Sequence, residues 1–206
     1  MDKLRICAWS GIIFLALSFA YLVAAIIVSP QQHLFILMDF IDLAFAMIAP
    51  LFLAGYAYGF ALVGRKMGPG WARIGGLMLF SSLIAVMLIE LLTFAAFSWM
   101  SDSFLSVLTF LAMLYFAAGC IVFGIGLKKH AERTLFMTIV SWWSILFGSF
   151  IAISIPINIF FEQLTMPFLS AFLIGFAFDF VMKVLLMFNM SRMEAKAEIV
   201  DSKNKK

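Results

Sequence analysis

Asp179 and Lys183 stand four residues apart inside a long apolar run, the i, i+4 spacing that sets an acid and a base on one face of a helix. A charge near the centre of a bilayer costs on the order of 3 kcal/mol, so the charges that remain there usually face the protein interior and have a role. Two chemistries fit this pair. One is an internal ion pair that neutralises both groups and locks the helix in place; the other is a relay for protons or ions. Ala171 and Gly175 continue the same row, so the packing stripe of that helix and its charges coincide.

A second group is acidic. Asp39, Asp42 and Glu90, with Asp102, Glu162 and His33 nearby, all belong to the end of the chain's apolar runs where no basic residue offsets them. Carboxylates grouped in this way attract cations and supply oxygen ligands, so Asp39, Asp42 and Glu90 form a candidate outer cation site whose metal, if any, the spacing does not identify. The plainer account is that acids are tolerated on the outer side, and that Asp39 opens a helix whose free N–H groups favour a carboxylate.

Catalytic patterns are absent. Neither His33 nor His130 lies within an apolar run, there is no H-E-x-x-H or G-x-S-x-G, and no cysteine and histidine could meet at one depth. A two-aspartate intramembrane protease needs a second acid level with Asp179, and none is present. The chain is therefore expected to be no enzyme and to carry no cofactor. Cys7 and Cys120 make no metal-ligand spacing and sit toward the reducing side, so they read as small buried apolar residues and not as a disulfide.

The elements that position these groups follow from composition. Of 206 residues, 65% are hydrophobic and 12% charged, far from the globular norm of about half apolar and a quarter charged. The apolar runs cover approximately Ile6–Ser29, Asp39–Val63, Ile74–Ser98, Phe104–Leu127, Thr134–Phe160 and Met166–Met190. Each is long enough to cross a hydrocarbon core of roughly 30 Å, and each is apolar on all sides where a barrel strand would alternate. The fold class is all-α: a polytopic membrane bundle of six transmembrane helices spanning 1–190, followed by a short basic tail, 191–206, expected to be disordered. Met1–Arg5 followed by apolar residues imitates a signal peptide, but the run continues too far and reads as an uncleaved first helix.

Thirteen of the 14 basic residues, all but Lys183, flank the runs in alternate gaps: Lys3 and Arg5; Arg65, Lys66 and Arg73; Lys128, Lys129 and Arg133; Arg192, Lys196, Lys203, Lys205 and Lys206. The positive-inside rule then places both termini in the cytoplasm and Pro30–Met38, Trp99–Ser103 and Phe161–Thr165 outside, as expected for a multi-pass protein of a prokaryotic plasma membrane. The net charge of +3 belongs to this topology, with a secondary attraction to anionic lipids, and does not point to nucleic acid. Met67-Gly68-Pro69-Gly70 reads as a cytoplasmic turn.

Helices in lipid associate where small residues let backbones come close. Such rows are Ala16, Ala20 and Ala24 on the first helix, Gly55 and Gly59 on the second, Ser144, Gly148 and Ala152 on the fifth, and Ala171 and Gly175 on the sixth, all expected to face inward. Most of the 25 phenylalanines are left to face lipid or fill between helices. Pro50 and Pro156 fall inside helices and bend them.

In size, six helices and the alanine row Ala16, Ala20 and Ala24, the chain resembles in outline the substrate-binding subunits of energy-coupling-factor vitamin transporters. That likeness implies a membrane-embedded capture subunit; no ligand-binding motif accompanies it to carry residue roles across. Two functions compete: a small transporter or substrate- or cation-binding subunit, and a non-catalytic structural or accessory subunit of a larger membrane complex. The partners expected are the lipid bilayer, other membrane subunits or further copies of this chain. A transporter should hold a polar, water-accessible cavity near Asp179, whereas a scaffold should be packed solid there.

Overall fold

The computed structural model describes residues 2–28, 35–68, 70–95, 102–130, 134–160 and 165–204. The described residues form six helices and no strand: α1 (Lys3–Val28), α2 (Phe35–Lys66), α3 (Trp71–Ala95), α4 (Asp102–Lys129), α5 (Leu135–Phe160) and α6 (Thr165–Asn204). Each holds a stretch long and apolar enough to cross a membrane. In lipid no solvent replaces a lost backbone hydrogen bond, so runs that are apolar on every side close their N–H and C=O groups within the helix. The chain is a multi-pass integral membrane protein.

Two boundaries differ from the sequence reading by four residues or more. α2 begins at Phe35, ahead of the expected Asp39, which shortens the first connection. α6 runs on to Asn204, where a disordered tail was expected after Met190. The segment Met193-Glu194-Ala195-Lys196-Ala197-Glu198 consists of strong helix formers, so low apolar content by itself does not end the helix.

Consecutive helices pack side by side, and α6 returns to α1 to close the ring, with α2 also reaching α6. Short connections between antiparallel neighbours dictate this order. The ends that carry basic residues gather at one end of the bundle. There Asp2 lies 3.7 Å from Lys66 and accepts a hydrogen bond from Ser191, Lys128 sits 4.0 Å over the Trp142 ring, and Lys129 sits 5.7 Å over that of Trp71. Between α2 and α3 the chain turns on Gly68 (φ 80°) and Gly70 (φ 141°), backbone conformations that a side chain disfavours.

Among the described residues, most of the fully buried positions fall in this basic half. Leu4 and Ala8 of α1, Phe60 and Val63 of α2, Leu79 of α3, Phe123 and Leu127 of α4, Val140 of α5, and Leu186 and Met187 of α6 are all buried there. Glycine makes it possible: a Cβ on Gly75 would strike the backbone of Phe123, and one on Gly126 the backbone of Ala72, so α3 and α4 lie in backbone contact. Gly64 meets α3 and Gly124 meets α5 in the same way.

Candidate functional site

Asp179 and Lys183 lie on α6 where the packed half begins. Asp179 is 2% exposed and Lys183 1%, and their carboxylate and ammonium are 2.5 Å apart. Lys183 Nζ also donates to Cys120 Sγ of α4 at 3.3 Å. Its remaining N–H points among aromatic faces, with the Phe60 ring centroid 5.7 Å away and that of Phe116 5.5 Å away. Three helices therefore solvate one cation, through a carboxylate, a thiol and two rings.

The carboxylate is less well served. Asp179 Oδ2 holds the lysine, while Oδ1 is buried with no hydrogen-bond partner among the described residues. A buried acceptor left unmade costs about 1–3 kcal/mol, more for a charged group. Tyr56 closes the far wall: it stacks on Phe180 at 4.0 Å and its hydroxyl donates to the Phe180 carbonyl at 3.4 Å. The arrangement can hold one internal charge pair and offers one further acceptor oxygen.

The row that leads to the pair runs from open to closed. Ala171 is exposed, Gly175 is half-buried against the Phe147 ring of α5, and Asp179 is the first fully enclosed position. On the same side of the packed half, a cavity of about 270 Å³ opens among Phe14, Phe45, Pro50, Leu53, Met87 and Leu91 of α1, α2 and α3. α2 remains helical through Pro50, whose ring leaves a carbonyl of the preceding turn without its donor.

Of the outer acids, only the side chain of Asp42 lies among the described residues. Asp42 is half-buried, takes a hydrogen bond from the Tyr21 hydroxyl, and leaves its Oδ1 without a partner among the described residues. The side chains of Asp39 and Glu90 lie outside the described residues. Among those that are described, no three metal-ligating side chains cluster.

The small-residue rows divide. Gly55 receives Ser10, whose hydroxyl donates to the Phe52 carbonyl at 2.8 Å, and Gly59 receives Met187 and Cys7. Gly148 lies against the Ala117 carbonyl and Cys120. Ser144 is fully buried, its hydroxyl without a partner among the described residues, and Ala152 is half-buried. The alanine row of α1 faces the other way, which corrects the inward placement: Ala16 and Ala20 are exposed, and Ala20 and Ala24 line an outer groove against α2. The inward face of α1 is instead Leu4, Ala8, Gly11 and Leu15, with Gly11 against Tyr56 and Val184. Ala16 lies one residue, about 100°, past that face.

Sequence reasoning missed Cys120 as a partner of Lys183. Gly119 and Gly124 on either side of it mark that stretch of α4 as closely packed, a signal that could have placed a partner there. Asp2 was missed as well. It caps α1 through the Leu4 N–H at 3.2 Å. Burial pushes its carboxyl up, but hydrogen bonds from Ser191 and Leu4 and the nearby Lys66 charge together hold it below the ordinary carboxylate value.

Protein-family models, curated proteins and solved structures yield no match to this chain.

Proposed function

We propose that the chain is a small membrane-embedded transporter or substrate-binding subunit that takes a cation or other small solute into its loosely packed half, with the Asp179–Lys183 pair as floor. The observation that supports this most is a coincidence of depth: along the α6 row the change from exposed to buried positions falls at Asp179, whose Oδ1 is buried with no hydrogen-bond partner among the described residues. An unmet carboxylate oxygen at the bottom of an open half is suited to a proton, a cation or a donor group of a solute. The reading puts the basic end in the cytoplasm, which the distribution of Lys and Arg favours, and assigns no catalytic step.

A second reading has its own support. The near-complete burial of both charges among Phe60, Phe116, Cys120 and Phe180 suits a structural lock, and with it an accessory subunit of a larger complex. Flux separates the two. Reconstituted in vesicles, the full chain should carry protons or monovalent or divalent cations, and the Asp179→Asn/Lys183→Met double variant should fold yet lose that flux. An inactive wild-type protein, whose melting no cation shifts and whose Asp42→Asn/Glu90→Gln variant melts unchanged, would leave the accessory role. Ready labelling of a cysteine placed at Gly68 by an impermeant reagent in intact cells would reverse the orientation.

A further inference from the structure

Beside the α2–α3 turn is a second cavity, of about 220 Å³, unconnected with the floor at Asp179. The backbone of Gly68 and Gly70 forms one wall, Lys129 and His130 from the end of α4 form the other, and Trp71 stands among the lining residues. Its base is sealed where Ala72 and Gly126 bring α3 and α4 into backbone contact. The two basic side chains make no ion pair with any described carboxylate. We infer that this cavity binds the phosphate headgroup of an anionic phospholipid.

The chemistry is that of a phosphate beside one ammonium and one imidazole. Lys129 supplies a charge and three donors, and His130 a further ring donor, so a phosphodiester entering the cavity meets donors on one side and turn backbone on the other. The volume suits a small polar headgroup, being below the roughly 300 Å³ at which pockets for drug-sized ligands begin. Lipid is favoured over free phosphate by what flanks the mouth. Trp71 is 52% exposed, as an interfacial indole should be, and Ile74, three residues further along α3, is 50% exposed, giving an acyl chain an apolar path away from the headgroup. Basic pockets between membrane helices at a cytoplasmic face suit such headgroups, and this inference does not depend on the transport reading.

The test is native mass spectrometry and melting of the full chain in detergent, with phosphatidylglycerol, phosphatidylcholine or inorganic phosphate added. Phosphatidylglycerol should be retained and should raise Tm; Lys129→Gln should weaken its apparent affinity about fivefold, and His130→Gln, which removes a ring donor, should weaken it by less. Lys129→Arg should keep it. Arg5→Gln, which removes a basic residue outside the cavity, should change it less than twofold. Each variant is first melted in phosphatidylcholine micelles, where a Tm equal to that of the wild type shows an intact fold. Equal retention of phosphatidylcholine, or an Arg5→Gln loss as large as that of Lys129→Gln, would reduce the effect to diffuse surface charge and overturn the site. A full Tm shift with inorganic phosphate and none with phosphatidylglycerol would overturn the lipid as occupant.

Discussion

The two halves of the bundle are built from the same helices and differ in which residues those helices bring to the centre. In the basic half, glycines on α2, α3 and α4 let backbones touch, and large side chains such as Phe60, Phe123 and Met187 fill the remaining space. In the other half the inward positions are Phe14, Phe45, Pro50 and Met87, which cannot approach as closely and leave a cavity between α1, α2 and α3. The composition of both halves is apolar. The difference lies in side-chain size at the contact, because lipid offers helices no hydrophobic reason to associate and only close fit distinguishes protein from lipid. Asp179 and Lys183 sit at the border, where the packed half excludes solvent and makes a lone charge most expensive.

The largest effect should come from breaking that border. Asp179→Asn and Lys183→Met should each destabilise the protein by about 3–5 kcal/mol, because the remaining partner keeps its buried charge, and the double variant should recover most of the loss. Denaturation in detergent measures all three. A double variant no more stable than either single one would show that the two side chains do not compensate each other, contrary to their 2.5 Å contact.

A smaller effect should sharpen the contrast between halves. Gly126→Ala places a methyl against the Ala72 backbone and should cost about 1–3 kcal/mol, the range for overfilling a close-packed contact. Ala20→Leu, in the exposed groove beside α2, should stay within about 0.5 kcal/mol. Equal melting of the two variants would erase the distinction between packed and open halves.

The smallest effect concerns the outermost rim of the packed half. Asp2→Ala removes the cap of α1 together with the Lys66 contact and should cost about 1 kcal/mol near neutral pH. Because the Asp2 carboxyl titrates below its ordinary value, its contribution is complete above the unfolded-state pKa and is lost as pH falls through the folded one. Melting curves taken down through the carboxylate range should therefore converge for wild type and Asp2→Ala at the acid end. A constant gap across that range would mean that Asp2 acts through its cap geometry alone.

Six helices and their alternation of basic ends could be read directly from the sequence, since run length against bilayer thickness and the placement of Lys and Arg are local properties. The i, i+4 spacing likewise set Asp179 and Lys183 on one face, because helix geometry fixes neighbours four residues apart whatever surrounds them. Rotation about the helix axis was less legible. Ala16, Ala20 and Ala24 satisfy a small-residue row as well as Ala8 and Gly11 do, yet only the second faces the bundle. Which row turns inward depends on Tyr56, Val184 and Met187 arriving from other helices, and no spacing within α1 contains that information.

The sequence by itself determined that this chain is a bundle of six membrane helices, because a backbone in lipid has almost no alternative to the helix when every face is apolar. It also determined that one charge pair lies inside an apolar helix. Tertiary structure alone decided that Cys120, Phe60 and Phe116 enclose that pair, and that glycine contacts close one half while the other stays open. Those outcomes depend on distances between residues of different helices, 63 positions apart for Cys120 and Lys183. Such distances are set by how six helix surfaces fit together at once, which is a property of the assembled bundle and of no single helix.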